Sequence, residues 1–287
     1  MRTALARTLA LAAALTVPAA ALGATAPSQA AAPNPTVLLP NMTITEGDAG
    51  KAAFVVNVGL SAPNPLDHAV TVDAVDFSAV PLPGGGGTYG TATPGTDYQA
   101  FGSRTLVFQP GQQVARFKIV LKGDRSAEGH EEIDVRFDNT VLTVGDNDID
   151  LVIANDDTAS DTKRPLLLLP NQTMPEPDSG CFAYQVSMLL DRPATQASTV
   201  NAVDFTSVPL PAPLVGTYGT ASPGSDYTAF GTRTLAFAKG ARAATLPVTI
   251  CGDTVHEGSE EIDVRFDNTQ TLAVQDNDID LVLSDND

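Results

Sequence analysis

Apolar and polar residues alternate along several short segments of this chain. The segment AFVVNVGL, residues 53–60, places Phe54, Val56, Val58 and Leu60 on one side of an extended backbone. The same spacing occurs in ARFKIVL, EEIDVRF and IDLVI, whose apolar positions are Phe117, Ile119, Leu121, Ile133, Val135, Phe137, Ile149, Leu151 and Ile153. Successive side chains of a β-strand point to opposite faces, so this period of two predicts strands with one buried face. Glycine, proline, asparagine and aspartate cluster between these segments, and no helical apolar stripe is present, which predicts an all-β fold.

Most of the sequence occurs twice. The segment VDFSAVPLP…GTYGTATPGTDYQAFGSRTLVF, residues 75–108, returns as VDFTSVPLP…GTYGTASPGSDYTAFGTRTLAF, residues 203–237. A period this long is that of a whole domain, because solenoid repeats are shorter, about 20 to 50 residues. We therefore predict two domains, residues 35–157 and 165–287, joined by a linker at 158–164. About seven short strands in each favour an antiparallel β-sandwich of immunoglobulin type.

The first 32 residues differ in character from the rest. A basic start, MRTALAR, precedes the apolar run TLALAAALTVPAAALGA and the small-residue stretch TAPSQAAAPN. This order is typical of a secretory signal peptide, whose cleavage we place between Ala24 and Ala32. The sequence therefore predicts an exported protein, secreted or held at the cell envelope, with no other segment apolar enough to span a bilayer.

The chain is strongly acidic. Its formal net charge is −18 and its isoelectric point is about 4.3, with only 16 lysines and arginines in 287 residues. Nucleic acid and anionic lipid are therefore unsuitable partners, because little positive charge is available to displace counterions from phosphate. Cations are the natural partners of such a chain.

Many acids are not explained by the strand pattern, because they lie in loops or at strand ends. Loop residues around them differ between the two copies, as in RSAEGH and TVHEGS, but the acids recur. Such acids either make the end of the sandwich soluble or converge on a cation. They are Glu46, Asp97, Asp124, Glu128, Glu131, Asp156 and Asp157 in the first copy and Glu176, Asp226, Asp253, Glu257, Glu260, Asp285 and Asp287 in the second.

The order of these motifs resembles the Calx-beta domain. The run GTA-x-PG-x-DY-x-x-F-G, the later GD-x-x-x-E-x-x-E and the closing acidic NDD carry the resemblance, which covers both copies nearly end to end. It implies seven-stranded sandwiches that hold Ca²⁺ among the loops at one end, with the acids named above as ligands. The resemblance implies that the family's richer sites have two or three Asp before the Glu-x-x-Glu. Each copy here has one, preceded by Gly123 or Gly252, so we expect one or two ions per domain. The acids of GDND and QDND, around Asp146 and Asp276, are second-tier candidates that more simply form a turn.

Two cysteines, Cys181 and Cys251, both lie in the second copy. The first copy has Lys51 and Lys122 at the matching positions. Because both positions changed together, we expect them to be neighbours. In an exported protein this predicts a disulfide.

These observations predict a non-catalytic protein. The sequence holds no G-x-S-x-G, P-loop or H-E-x-x-H motif. The resemblance implies a calcium-stiffened module for cell-surface or extracellular adhesion or spacing, with another extracellular protein or a surface glycan as a further partner. One alternative is a metal-free spacer. Another is a protein-binding module, an inhibitor or enzyme accessory, that uses the variable loops VPLPGGGGTYG and VPLPAPLVGTYG.

Overall fold

The alternating segments form strands in the computed structural model, which describes residues 34–79, 90–138, 142–144, 147–157, 164–207, 218–267, 270–274 and 278–286. We call the described residues up to 157 the first domain and those from 164 onward the second domain. The leader, the linker residues 158–163, the variable loops at 80–89 and 208–217, Asp146, Asp276 and Asp287 lie outside the described residues. No helix long and apolar enough to cross a membrane occurs in the described part of the chain.

The first domain has eleven strands among its described residues. They are β1 (Thr36–Leu38), β2 (Asn41–Thr45), β3 (Gly50–Leu60), β4 (Val70–Asp76), β5 (Gly90–Thr91), β6 (Tyr98–Gln99), β7 (Ser103–Phe108), β8 (Val114–Gly123), β9 (Glu131–Asp138), β10 (Thr143–Val144) and β11 (Asp148–Ala154). The number exceeds the seven expected because a break at Leu39 and Pro40 divides the first strand and because several two-residue strands flank the long ones.

The second domain repeats this series among its described residues. Its strands are β12 (Leu166–Leu168), β13 (Asn171–Pro175), β14 (Gly180–Leu190), β15 (Ser198–Asp204), β16 (Gly219–Thr220), β17 (Tyr227–Thr228), β18 (Thr232–Phe237), β19 (Ala243–Gly252), β20 (Glu260–Asp267), β21 (Ala273–Val274) and β22 (Asp278–Ser284).

Each domain is a sandwich of two facing sheets. In the first domain one sheet has the order β10-β1-β3-β8-β6, and the other contains β2, β11, β9, β4 and β7. We expected purely antiparallel pairing. The structure also contains parallel pairs, because the two halves of the divided first strand enter different sheets. There β1 runs parallel to β10 and β2 runs parallel to β11. The second domain has the same arrangement, with β12 parallel to β21 and β13 parallel to β22.

The apolar positions predicted from alternation fill the core between the sheets. Phe54, Val56, Val58 and Leu60 are all buried, as are the apolar positions of the other three segments. On β3 the opposite face is covered as well, since Val55 and Asn57 are also buried. This second burial differs from the prediction, and its cause is the other domain.

The two domains are joined by strand pairing. Strand β2 pairs antiparallel with β13, its own counterpart, with Met42 opposite Gln172. This pairing fuses the second sheets of both domains into one twelve-stranded sheet. Across the same interface, the main-chain N–H of Val55 donates to Ser187 Oγ (2.9 Å), and Asn57 Oδ1 accepts from the N–H of Gln185 (3.0 Å).

The interface contacts are reciprocal, as expected for two copies related by a pseudo-twofold axis. In the first domain, the loop between β2 and β3 meets the second domain where the N–H of Ala49 donates to the carbonyl of Asp191 (3.1 Å). In the second domain, the N–H of Ser179 donates to the carbonyl of Ser61 (3.2 Å). The loop between β2 and β3 therefore contacts the second domain, and the loop between β13 and β14 contacts the first.

The predicted disulfide is confirmed. Cys181 and Cys251 are direct cross-strand partners on β14 and β19, with Cα atoms 4.0 Å apart, and their sulfur atoms are bonded. Lys51 and Lys122 are partners in the same register on β3 and β8. The paired change between the two copies thus identified adjacent positions.

Candidate metal centres

The topology gathers the predicted acids at one end of each sandwich. Strands β2 and β11 run parallel and end together at Thr45 and Ala154, so Glu46 and Asp156 both follow at the same edge. The next strand, β9, begins there with Glu131, which pairs with Ile153. The main-chain N–H of Gly47 donates to Asp156 Oδ1 (3.0 Å), which holds that carboxylate beside the loop after β2.

Asp97 enters from the facing sheet and is held firmly. It is 4 % exposed, its Oδ2 accepts from the N–H of Thr93 (2.6 Å), and its carbonyl accepts from the N–H of Lys122 (2.8 Å). The next residue, Tyr98, donates through its hydroxyl to the buried Asp76 (2.7 Å). The same arrangement fixes Asp226 in the second domain, where Tyr227 donates to Asp204 (2.9 Å).

A glycine precedes each acid of the GD pair because there is no room for a side chain. A β-carbon at Gly123 would collide with the carbonyl oxygen of Gly47, and one at Gly252 would collide with that of Pro177. The close approach brings the strand end that carries Asp124 or Asp253 against the loop that carries Glu46 or Glu176. The glycine before the single Asp of each copy therefore has a packing cause.

Two acidic triads form in the first domain. One consists of Asp48, Asp156 and Asp157, and the other of Asp97, Glu128 and Glu131. Within each triad, one oxygen from every residue lies within 4.8 Å of the others. Two carboxylates about 4 Å apart repel by roughly 4 kcal/mol at an effective dielectric of 20, so such triads favour a cation.

Glu46 lies beside these triads and is buried, with 5 % of its surface exposed. Among the described residues no hydrogen-bond donor reaches its Oε1, and the same is true of Asp157 Oδ2. Burial raises the pKa of Glu46 to about 8, with further increases from Asp157, Asp124 and Asp156. A buried carboxylate oxygen without a donor needs either a proton or a metal ion.

The pKa values of neighbouring acids are raised as well. Burial, together with Asp97, raises the pKa of Glu131 to about 7. The pKa of Asp157 is raised by burial and by Asp48 and Asp124. A fixed positive charge among these carboxylates would reverse such shifts, because it favours their ionised form.

The second domain forms one triad among its described residues. Asp226, Glu257 and Glu260 bring their oxygens within the same 4.8 Å. Burial and a hydrogen bond with Asp226 raise the pKa of Glu260 to about 8, and burial raises that of Glu176 to about 7. Glu176 Oε1 also accepts a long hydrogen bond from the N–H of Asp253 (3.4 Å), which Glu46 Oε1 lacks.

Besides Glu46 and Glu176, three predicted ligands lie at these ends but outside the triads. Asp124 accepts from the N–H of Ser126 (2.6 Å), and Asp253 from that of Val255 (2.7 Å). Asp285 Oδ2 accepts from the N–H groups of Glu257 (2.9 Å) and Gly258 (2.8 Å) and lies 2.5 Å from His256 Nδ1. Asp287, the last predicted ligand, is outside the described residues.

Asp48 is a candidate that the sequence reading missed. It belongs to the first triad and also forms ion pairs with Arg125 (3.2 Å) and Arg192 (2.9 Å). The signal was available, because TEGDAG and PEPDSG both place an Asp two residues after the glutamate. The counterpart of Asp156, in contrast, is Asn286, so the first triad is not reproduced in the second domain up to that residue.

Comparisons with known proteins found similar solved structures and a matching family model. Solved structures with similarity include CBD12 from CALX1.2, 17 % identical over 79 % of this chain and 79 % of that chain, with a TM-score of 0.31. The calcium binding domain CBD12 of CALX1.1 is 18 % identical over 82 % and 83 %, with a TM-score of 0.31. A two-domain protein of unknown function from Bacteroides fragilis NCTC 9343 is 10 % identical over 88 % and 93 %, with a TM-score of 0.28.

Among curated proteins none matches the chain. A family model described as the Calx-beta domain matches residues 87–163 and again residues 209–287, together more than half of the chain. Each match covers the run from the DY motif through the Glu-x-x-Glu strand to the closing acids. The chain belongs to the Calx-beta domain family and carries two such domains in tandem.

Proposed function

We propose that this protein is a non-catalytic calcium-binding protein that takes Ca²⁺ at the acidic end of each domain. The observation that carries the proposal is Glu46 Oε1, a buried carboxylate oxygen with no donor among the described residues and with acids on several sides. The Calx domain structures named above include one described as a calcium binding domain, which supports the same ion.

The donor set suits calcium rather than a softer metal. All candidate ligands are carboxylates, and Ca²⁺ prefers six to eight hard oxygens at about 2.3–2.6 Å. Two oxygens on opposite sides of one such ion are about 4.8 Å apart, and every triad keeps its oxygens within 4.8 Å. Water and main-chain carbonyls would complete the coordination.

The two domains differ in capacity. The first domain offers two triads with Glu46 beside them, which supports two ions, and the second offers Asp226, Glu257 and Glu260 beside Glu176, which supports one. Asp124, Asp253, Asp285 and Asp287 stay predicted ligands that a bound ion would draw in. Mutual repulsion among the acids supports loops that are held more firmly with calcium than without it.

Isothermal titration of the chelated protein with calcium tests the proposal. We expect Glu131→Gln to weaken binding in the first domain and Glu260→Gln to weaken it in the second, each by roughly tenfold or more. Glu132→Gln is the matched control, because it removes the same charge from the neighbouring position of β9, outside the triads. Absence of both heat and a shift in melting temperature would reduce the protein to a metal-free spacer.

We further propose that the protein acts outside the cytoplasm, as an adhesion or spacer module. The leader at residues 1–32 and the disulfide between Cys181 and Cys251 support export to an oxidising compartment. Fractionation of the producing cells tests this, and recovery of the full-length chain in the cytoplasm with reduced cysteines would exclude it.

Calcium would also stiffen the connection between the domains. The loop that carries Glu46 and Asp48 is held from the second domain by Arg242, which donates to the carbonyls of Glu46 and Gly50, and by Arg192. An ion that orders this loop therefore orders part of the interface. Small-angle scattering with and without calcium tests this, and unchanged dimensions would count against it.

A further inference from the structure

The reciprocal interface allows corresponding positions in the two domains to be compared. Gly50 of the first domain lies against Pro193 of the second, and Gly180 of the second lies against Pro63 of the first. Each acidic loop thus packs beside the corresponding part of the other domain. A residue near one loop consequently predicts what should lie near the other.

The first domain's loop is neutralised by arginine. Asp48 forms ion pairs with Arg125 of its own domain and with Arg192 of the second domain. Arg125 follows the Asp of the first GD pair, and Arg192 precedes Pro193 at the interface. One arginine from each domain therefore pairs with the same carboxylate.

Neither arginine is present around Asp178, the counterpart of Asp48. Thr254 replaces Arg125, and Ala62 replaces Arg192. Asp178 Oδ1 accepts a hydrogen bond from Asn286 Nδ2 (3.0 Å). Among the described residues, Asp178 forms no ion pair with a lysine, arginine or histidine, although the protein places two such pairs on Asp48.

A cleft of about 500 Å³ lies beside Asp178 and Thr254. Its lining includes Leu38, Leu39, Pro175, Asp178, Thr254 and Asn286. The first domain therefore supplies an apolar wall, and the second supplies a carboxylate with polar neighbours. An arginine side chain fits both the apolar wall and the carboxylate, because its methylene stem packs on apolar surface while its planar guanidinium pairs with a carboxylate.

We infer that this cleft binds an arginine side chain presented by a partner protein. The guanidinium pairs with Asp178, the stem lies on Leu38 and Leu39, and the contact reproduces from outside the pairing that Asp48 has within the chain. The strongly acidic protein favours a basic partner by long-range attraction as well. None of the residues that line the cleft belongs to an acidic triad, so this site can be tested apart from the proposed function.

The probe that tests this site is Nα-acetyl-arginine amide, which mimics a residue inside a chain. Titration into the full two-domain protein in EGTA, followed by NMR chemical shifts, should give a dissociation constant on the order of 1 mM, as for one partly exposed ion pair with apolar contact. Nα-acetyl-citrulline amide, which has nearly the same shape without the guanidinium charge, should bind at least tenfold more weakly. Free arginine, whose α-ammonium and α-carboxylate leave its net charge at +1, should bind no more tightly, because the proposed contacts involve only the side chain.

Two variants make the test decisive. Asp178→Asn should weaken binding at least tenfold. Thr254→Arg should abolish binding while keeping Asp178, because its side chain can pair with Asp178 as Arg125 pairs with Asp48. Thr254→Arg should leave the calcium titration of the first domain unchanged, which separates this site from the metal centres.

The inference is overturned if the arginine amide causes no shifts in residues lining the cleft, or if it binds Asp178→Asn and Thr254→Arg as well as the unaltered protein. Equal binding of Nα-acetyl-citrulline amide would exclude recognition by charge. Tighter binding of free arginine would exclude a protein side chain as the occupant.

Discussion

Arg242 of the second domain donates a hydrogen bond to the main-chain carbonyl oxygen of Glu46 in the first domain. The same guanidinium donates to the carbonyls of Gly50 and Leu190, each at 2.8 Å, and the residue is 2 % exposed. The position corresponds to Gln113, whose amide donates to the carbonyls of Leu60 (3.1 Å) and Ser179 (2.6 Å). A buried side chain from each domain thus closes the other domain's loop, and one of the two carries a charge.

Replacing Arg242 by alanine should destabilise the pair of domains. Three main-chain carbonyls lose their donor in a buried setting, which costs about 3 kcal/mol in the free energy of unfolding. Chemical denaturation followed by fluorescence or circular dichroism measures the change. Arg233→Ala is the control, because Arg233 is exposed on β18. Equal stability of the two variants would show that the contact contributes nothing.

Without calcium, stability should fall as the pH rises. The pKa values of Glu46 and Glu260 are raised to about 8, and those of Glu131 and Glu176 to about 7, from an ordinary 4.5. The folded protein therefore holds protons that the unfolded chain has released, so the stability contributed by these four groups is fully present below about pH 4.5 and is lost as pH rises through 7 and 8. In EGTA we expect the melting temperature to drop by roughly 5 °C between pH 5 and pH 8.

Two further measurements sharpen the pH prediction. The double variant Glu46→Gln, Glu260→Gln should flatten the dependence, because amides do not titrate. Calcium binding at pH 7 should release protons, which titrations in buffers of different ionisation enthalpy detect. A melting temperature that stays constant or rises over this range in EGTA would contradict the predicted strain.

The tyrosines that follow Asp97 and Asp226 should stabilise their two domains to the same extent. Tyr98 and Tyr227 donate to Asp76 and Asp204, buried carboxylates that also accept main-chain N–H groups of Phe101 and Phe230. Removing one hydroxyl by Tyr98→Phe or Tyr227→Phe should cost about 1–2 kcal/mol, measured by urea unfolding. Tyr218→Phe, at a tyrosine that is 45 % exposed, should change nothing. A loss in Tyr98→Phe no larger than in Tyr218→Phe would show that the buried bond is energetically neutral.

The disulfide should stabilise the second domain by about 4 kcal/mol, because it closes a loop with a sequence separation of 70. The double variant Cys181→Ser, Cys251→Ser should lower the melting temperature accordingly, and alkylation with mass measurement should find no free thiol in the parent protein. Lys51→Ser, Lys122→Ser changes the same register of the first domain and serves as the control. A similar loss in both would mean that the side chains, not the covalent bond, carry the effect.

The sequence predicted the interior of each sandwich well. Alternation identifies which face of a strand is buried, and Phe54, Val56, Val58 and Leu60 are buried as expected. It does not reveal that Asn57 is buried on the opposite face, since a polar residue at an outward position looks exposed. That burial arises from hydrogen bonds to another domain, and such partners leave no period in the sequence.

The candidate site was predictable where both copies agree and less so where one copy differs. Glu46 and Glu176 recur and lie at equivalent places. Asp48 also recurs as Asp178, but its neighbours changed from arginine to threonine and alanine, which gives the two carboxylates different surroundings. Only the fold shows that Arg192, distant in sequence, belongs to this comparison.

The pairing of β2 with β13 has a practical consequence for dissection of this protein. If either half were produced alone, its outer strand would present unpaired N–H and carbonyl groups, together with polar side chains that normally meet the other half. Such an isolated half is expected to self-associate through that open edge. The smallest fragment expected to remain monomeric therefore contains both domains.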